Sequence, residues 1–237
     1  MEQLRKLHNK CKRDLISKWV PAHSRVLDCG CGRGGDLQKW NAVKARVDAI
    51  DPDASSIQEA QKRAKQMGLD VRFLGVGDIR QAVKVMKEPW DVICYNFSLQ
   101  YIFSDFNESI LGISRALKPG GLLIGIAPEK FRIETMCHPS GIFKDSLGNI
   151  IENFSDHARV KLVDGPFYGG EFKTEPVMDG EFLISELLKL KITLISWEPM
   201  ILNPTGMISD MYTKFVFRNN MNVVPNIDFD SMDNLHA

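Results

Sequence analysis

No stretch of the 237-residue chain approaches the run of about 20 apolar residues that a membrane span needs; LLIGI at 122–126 is only strand-length. The opening MEQLRKLHNK has no apolar core of a secretory signal, so no membrane partner is expected. There is no CxxC, the histidines complete no zinc pattern, and the cysteines at 11, 29, 31, 94 and 137 are odd in number. They read as reduced thiols of a cytosol-like compartment, with no metal expected. Charge excess is missing too. Lysine plus arginine and aspartate plus glutamate number 30 each, which excludes a protein coated in positive charge but not a local groove for an anion. Repeats and low-complexity tracts are absent. What is present is ordinary globular composition, 44% apolar and 25% charged. A chain of this length buries roughly 70–75% of its surface, enough for a core without staples.

Helix-like and strand-like segments alternate. Leu4, Leu7, Cys11, Leu15 and Trp19 recur at three- and four-residue steps, predicting an amphipathic helix that Pro21 stops. Strands are predicted at 25–29, 46–50, 71–76, 90–96 and 122–127, with helices near 37–40, at 55–67 (closed by Gly68) and at 106–117. This order predicts parallel β-α-β units with helices on both faces of a sheet. Residues 138–180, rich in Gly, Asn, Asp and Pro, read as an insertion over the sheet edge with short strands at 150–154 and 159–163. A helix at 181–191 and strands at 192–197 and 212–217 complete one domain over 1–218. Residues 219–237, with three acids and no Lys or Arg, read as an acidic, frayed tail.

Chemistry concentrates where the first strand becomes a helix, in Asp28-Cys29-Gly30-Cys31-Gly32-Arg33-Gly34-Gly35-Asp36. Gly30, Gly32 and Gly35 match GxGxxG, which by itself is a weak dinucleotide signal. Asp51, 21 residues beyond Gly30, stands where an acid accepts ribose hydroxyls, for NAD and S-adenosylmethionine alike. Asp28 ends the first strand, where a carboxylate suits a cationic amino-acid moiety and repels a pyrophosphate. Asp78 follows the third strand, where it can accept from an adenine amino group. Each acid alone is equally readable as a turn or capping residue. Three at successive strand ends around one glycine turn make a site.

VLDCGCGRGGDLQKW resembles the first motif of class I S-adenosylmethionine methyltransferases, and its GRGGDLxKW form that of mRNA cap guanine-N7 methyltransferases. HNKCKRDLI at 8–16 resembles the family's NNxIKxxLI helix, and NFSLQY at 96–101 its QFxxHY segment. Ala127-Pro128, Glu181-Phe182-Leu183 and YTKFVF at 212–217 resemble its later cap-binding positions. The likeness covers roughly residues 5–218. It implies a Rossmann-like fold with a mostly parallel seven-stranded sheet and an insertion after strand five, and methyl transfer to guanine N7 of a 5′ GpppN RNA cap. S-adenosylmethionine (product S-adenosylhomocysteine) would be held by Lys12, Asp28, Gly30, Cys31, Gly32, Asp51, Pro52, Asp78, Ile79, Asn96, Phe97 and Tyr101. Asn9, Arg33, Gln100, Tyr101, Pro128, Glu181 and Tyr212 would line the cap side. Gln100 stands where the family usually has His, Asn96 where it has Gln, and Arg33 where cellular enzymes have Lys. The short lead and divergent insert resemble the methyltransferase domains of large DNA virus capping enzymes. That implies a cytoplasmic replication site or the virion if viral, and the nucleus if cellular. No guanylyltransferase KxDG-type lysine motif or triphosphatase module is evident, so partner domains or subunits of a capping apparatus are expected.

The chemistry agrees with that resemblance. Guanine N7 presents a lone pair and no proton, so no general base is needed, and the five histidines fall outside any catalytic constellation. Alignment of the reacting atoms supplies roughly 7–11 kcal/mol of barrier lowering in well-oriented systems. Glu181, beside the guanine N1 and N2 hydrogens, would bind the ring better as it gains positive charge. It is equally placed as a first-turn helix acid. Tyr101 and Tyr212 would offer aromatic faces to the cationic product. Six Lys/Arg against two acids in residues 1–18 suit a polyphosphate. The competing readings are an NAD(P) oxidoreductase, a methyltransferase of another nucleic-acid base or a small molecule, and a non-catalytic cap- or partner-binding module. The first lacks a substrate domain, and the NPPF/Y pattern of amino-methylating enzymes is missing. A module without activity would not keep the cofactor acids.

Overall fold

The structure is a computed structural model that describes residues 2–163 and 170–221. Helix α1 (Glu2–Trp19) leads into β1 (Arg25–Cys29), α2 (Leu37–Ala42), β2 (Arg46–Asp51), α3 (Ala54–Gln66), β3 (Val71–Val76), α4 (Ile79–Lys84) and β4 (Trp90–Asn96). A 3₁₀ helix (Leu99–Asp105), α5 (Phe106–Ala116) and β5 (Leu117–Pro128) follow. Next come α6 (Lys130–Cys137) and strands β6 (Ile142–Lys144), β7 (Ile150–Phe154), β8 (His157–Lys161) and β9 (Phe172–Pro176). The chain returns through α7 (Gly180–Lys189), β10 (Ile192–Pro199), a second 3₁₀ turn (Ile208–Met211) and β11 (Tyr212–Asn219). No described helix is long and apolar enough to cross a membrane.

Seven strands form one sheet in the order β10-β11-β5-β4-β1-β2-β3. Strands β1 to β5 run parallel, and β11 is antiparallel to both its neighbours. The central strands are short unbroken apolar runs because helices cover both faces. Leu15, Ile16, Trp40 and Ile57 of α1, α2 and α3 pack with Val26 and Ile124 on one face. Ile79, Ile110, Ile113, Leu183 and Leu187 of α4, α5 and α7 pack with Leu27 and Ile93 on the other. Asp48 pins the lower end of the sheet, accepting from Arg25 at 2.9 Å, Arg72 at 2.6 Å and the Trp90 indole at 2.7 Å.

The insertion is richer than its sequence suggests. It begins with α6, before residue 138, and forms a four-stranded antiparallel sheet in the order β6-β7-β8-β9. The strand expected at 159–163 runs instead over His157–Lys161, because a two-residue turn at Ser155–Asp156 pairs Phe154 with His157 and points Ala158 and Val160 inward. Helix α4 and both 3₁₀ segments lie where the sequence predicts no element. The expected tail at 219–237 lies outside the described residues beyond 221.

Candidate functional site

The carboxyl ends of β1, β2, β4 and β5 converge on the glycine turn, the edge where ligands of open α/β sheets lie. Gly30 takes φ +75°, and a Cβ there would come 2.5 Å from Ser98 Cβ, so only glycine lets the turn pass under β4. Ser98 in turn donates to the Cys29 carbonyl at 2.7 Å. Asp51 is buried and locks the turn: it accepts from Gly32 N–H at 2.7 Å and Asp53 N–H at 2.9 Å. Asp28 is also buried and accepts from the Trp40 indole at 2.8 Å. Burial and then the negative charge of Asp36 push its carboxyl up to about 7.

Asp36, at the end of the glycine segment, is a site residue that its spacing does not single out. It is buried and ion-paired to Lys12 at 2.6 Å and Lys39 at 2.8 Å, and it accepts from the Asn96 amide at 3.0 Å. Burial alone would raise its pKa, but the two ammoniums outweigh that and hold the carboxyl below its ordinary value. Lys39, itself 7% exposed, also donates to Asn9 Oδ1 and the Gly35 carbonyl, both at 2.9 Å. The hub thus joins α1, the glycine turn, α2 and β4. The signal was in the sequence, an Asp and a Lys one helical turn apart after the glycines, but the spacing also fits a surface i,i+3 pair.

Asp78, Ile79 and Cys31 each have a place in the fold besides any contact with a cofactor. Asp78 caps α4: it accepts from Arg80 N–H at 2.8 Å and pairs with the Arg80 guanidinium at 2.6 Å. Ile79 is fully buried in the core, so only its main chain is available to a ligand. Cys31 packs its thiol in the core on the α1 face. Pro52 is exposed beside Asp51.

On the cap side, Phe97 follows β4 with φ 64°, a left-handed turn that a bulky residue seldom adopts. Its ring stacks on His8 at 5.2 Å and meets Tyr212 edge-on at 4.8 Å, while His8 and Tyr212 lie 5.6 Å apart. His8 bonds Ser209 Oγ at 2.7 Å, and burial, then Lys12, lower its pKa to about 4. His8, expected to stand outside any catalytic constellation, joins this aromatic cluster through partners far along the chain, Phe97, Ser209 and Tyr212. Gln100 is buried and donates to the Phe97 carbonyl at 3.2 Å. Tyr101 is half exposed and bonds Glu175 of β9, a carboxylate with no sequence signal of its own. Burial and the Glu175 charge raise the Tyr101 and Tyr212 phenols, so both stay protonated donors at neutral pH. Tyr212 pairs with Pro128 across β11 and β5. Glu181 is exposed in the first turn of α7, whose cap is Asp179. The α7 entry is tied to this edge because Met178 N–H donates to the Pro128 carbonyl at 3.1 Å. Arg33 is exposed on the glycine turn.

Cavity volume alone points elsewhere. A hollow of about 510 Å³ lies at the opposite edge of the sheet, lined by His23, Lys118, Gly120 and Arg218. Its one lining carboxylate, Asp91, is already paired with Lys118 at 2.8 Å, so the chemistry favours the carboxyl edge.

The mRNA (guanine-N(7))-methyltransferase domain matches residues 1–185. The chain belongs to that family. It is 33% identical over 165 residues to the mRNA cap guanine-N(7) methyltransferase of Saccharomyces cerevisiae, covering 63% of this chain and 38% of the relative. It is 32% identical over 166 residues to that of Caenorhabditis elegans, covering 62% of this chain and 43% of the relative. The matched region therefore spans about two fifths of the length of these curated relatives. The fold is shared with a solved S-adenosylmethionine-dependent methyltransferase from Clostridium acetobutylicum, with TM-score 0.64 and 16% identity over 91% of this chain and 92% of that one. The sheet and its helices are thus those of the class I methyltransferases.

The residues of this guanine-N7 methyltransferase family member fit S-adenosylmethionine. Asn96 Oδ1 is a buried acceptor with no hydrogen-bond partner among the described residues, while its amide is spent on Asp36. An orphaned buried acceptor beside the carboxylate of Asp36 suits an ammonium donor. Gly32 takes φ +52° with nothing within 4 Å of where a Cβ would be, leaving main chain open to close approach. A second orphan, Gln100 Oε1, lies on the cap side.

Proposed function

We propose that this chain transfers the methyl group of S-adenosylmethionine to N7 of the guanine in a 5′ GpppN cap. The observation that carries the reading is the turn at Phe97. It parts a charged half, where Asn96 joins the Asp36 hub, from an aromatic half, where Phe97 meets His8, Tyr212 and Gln100. Donor and acceptor would meet across that one turn.

Bound in the charged half, the sulfonium supplies a methyl group that needs no further activation. Asn96, Asp36 and Asp28 would hold the amino-acid end, Gly30 and Gly32 would give it main chain to lie against, and Asp51 would accept from the ribose. Lys12 would serve the carboxylate. On the cap side Tyr212 and Phe97 would face the purine, and Gln100 Oε1 and Glu181 would accept from its N–H groups. Positive charge then develops on the guanine ring, which the acids Glu175 and Glu181 favour more in the transition state than at the start. No residue need move a proton. His8, neutral and bonded to Ser209, orients the aromatic half. Asn9 and Arg33 would lie toward the triphosphate.

The remaining expectations are proposals of the same kind. Cap synthesis would come from guanylyltransferase and triphosphatase domains or subunits, and a viral source would place the work in the cytoplasm, a cellular one in the nucleus. The decisive experiment incubates GpppG-capped RNA with labelled methyl donor, digests it and identifies the labelled nucleotide. Label on N7-methylguanine is expected; label on ribose or adenine would falsify the assignment.

A further inference from the structure

The inserted sheet uses its two faces differently. Ala158 and Val160 of β8 are buried, so His157, Arg159 and Lys161 lie on the other side. The register extends that side across the sheet: Arg159 is opposite Glu152 and Thr174, Lys161 opposite Ile150 and Phe172, His157 opposite Phe154, and Lys144 opposite Ile150. Among the described strand residues, Glu152 is the one carboxylate on this face, and it is paired with Arg159 at 2.9 Å. Two aromatic rings stand among the cations. The Arg159 guanidinium lies 4.7 Å and the Lys161 ammonium 5.7 Å from the Phe172 ring centre. Phe154, exposed, stacks on His157 at 5.0 Å with ring planes 5° apart.

Rings and cations interleaved on an open sheet match a single-stranded polynucleotide, whose bases stack on any flat ring and whose phosphates follow the cations. In a chain of zero net charge this face is a local positive excess. An apolar protein partner would want a continuous greasy patch, which Lys144, Arg159 and Lys161 interrupt. The opposite face of the same strands sends Glu175 to Tyr101, so β9 links this surface to the cap side.

We propose that the outer face of the inserted sheet binds the single-stranded nucleotides that follow the cap, with phosphates on Lys144, Arg159 and Lys161 and bases on Phe154 and Phe172. This rests on the capped-RNA reading above, but its test does not need methyl transfer. The affinity of the full chain for a short uncapped oligouridylate is measured against salt, for wild type, Lys144→Ala/Arg159→Ala/Lys161→Ala and Phe154→Ala, with circular dichroism to verify folding. Single strands contribute about 0.7 per neutralised phosphate to the salt slope, so the triple variant should lose roughly 2 from the slope and about tenfold in low-salt affinity. Phe154→Ala should lose about fivefold. The KM for capped RNA should rise in the triple variant while kcat/KM for the GpppG dinucleotide holds. Unchanged RNA affinity in a folded triple variant overturns the proposal. So does polyglutamate competing better than oligouridylate, which would make the ligand an acidic protein, or a GpppG loss as large as that for capped RNA. Failure of wild type to methylate GpppG would overturn the cap reading alone, because the oligouridylate measurement is separate.

Discussion

The two halves of the site are built from different materials. The half under the glycine turn is buried charge, Asp28, Asp36 and Lys39 with partly buried Lys12, closed by hydrogen bonds to Trp40, Asn9 and Asn96. The half beyond Phe97 is aromatic and partly open, with Tyr101 half exposed and Glu181 on the surface. Buried ions must be matched before any ligand arrives, since an unpaired one costs several kcal/mol. Aromatic faces carry no such demand and can wait open for a large, flat substrate. The charged half therefore contributes to stability and binding together, whereas the open half can be altered for binding alone.

Four changes break or sharpen that contrast, from the largest effect down. Asp36→Ala leaves buried Lys39 and partly buried Lys12 without their anion and should cost about 3–5 kcal/mol in chemical denaturation. A loss below about 1 kcal/mol would show that the hub is not integral to the fold. Next is acid. His8 has its pKa lowered to about 4, so the folded state refuses a proton that the unfolded chain takes below about 6.5. Stability should be full above that pH and fall as pH drops toward 4, by on the order of 2 kcal/mol. Denaturation midpoints of wild type and His8→Asn against pH check this; equal slopes would remove His8 from the account.

Smaller still is a linkage at Asp28. Its carboxyl is raised to about 7, so a ligand whose ammonium group lies against the carboxylate should bind more tightly as pH rises through neutrality and then level off. Calorimetry with S-adenosylhomocysteine should show about a tenfold gain from acid to alkaline pH, abolished in Asp28→Asn, since one pKa unit is about 1.4 kcal/mol. In the folding equilibrium the sign is opposite: ionising Asp28 above its unfolded value near 3.8 costs native stability as pH rises. The least effect on stability belongs to Glu181→Gln, an exposed first-turn substitution worth under about 0.5 kcal/mol. Its cap kcat/KM should nonetheless fall about tenfold or more. If both stay near wild type, Glu181 is only a helix acid.

The sheet was legible because each strand is a local event. RVLDC, RVDAID and WDVICYN are apolar runs bounded by turn residues, and burial on both faces leaves no other use for them. The insert was less legible because its strands have one face out. Arg159 and Lys161 alternating with Ala158 and Val160 read as a weak alternation whose ends a turn can shift by two residues. Asp51 was found from spacing alone and does meet the glycine turn. Asp78 was found the same way, and the structure gives it a capping role that the spacing equally allowed.

Taken alone, the amino-acid order determined the alternation of strands and helices, the glycine turn and the acids at its rim, since these follow from periodicity and short-range sterics. Only the tertiary structure decided that Asp36 gathers Lys12 and Asn96, that His8 reaches Ser209 across 201 residues, and that Glu175 meets Tyr101. Those contacts join side chains whose neighbours in sequence carry no trace of one another. They form because burying the sheet on both faces leaves each polar group there to be satisfied by whatever the fold brings alongside.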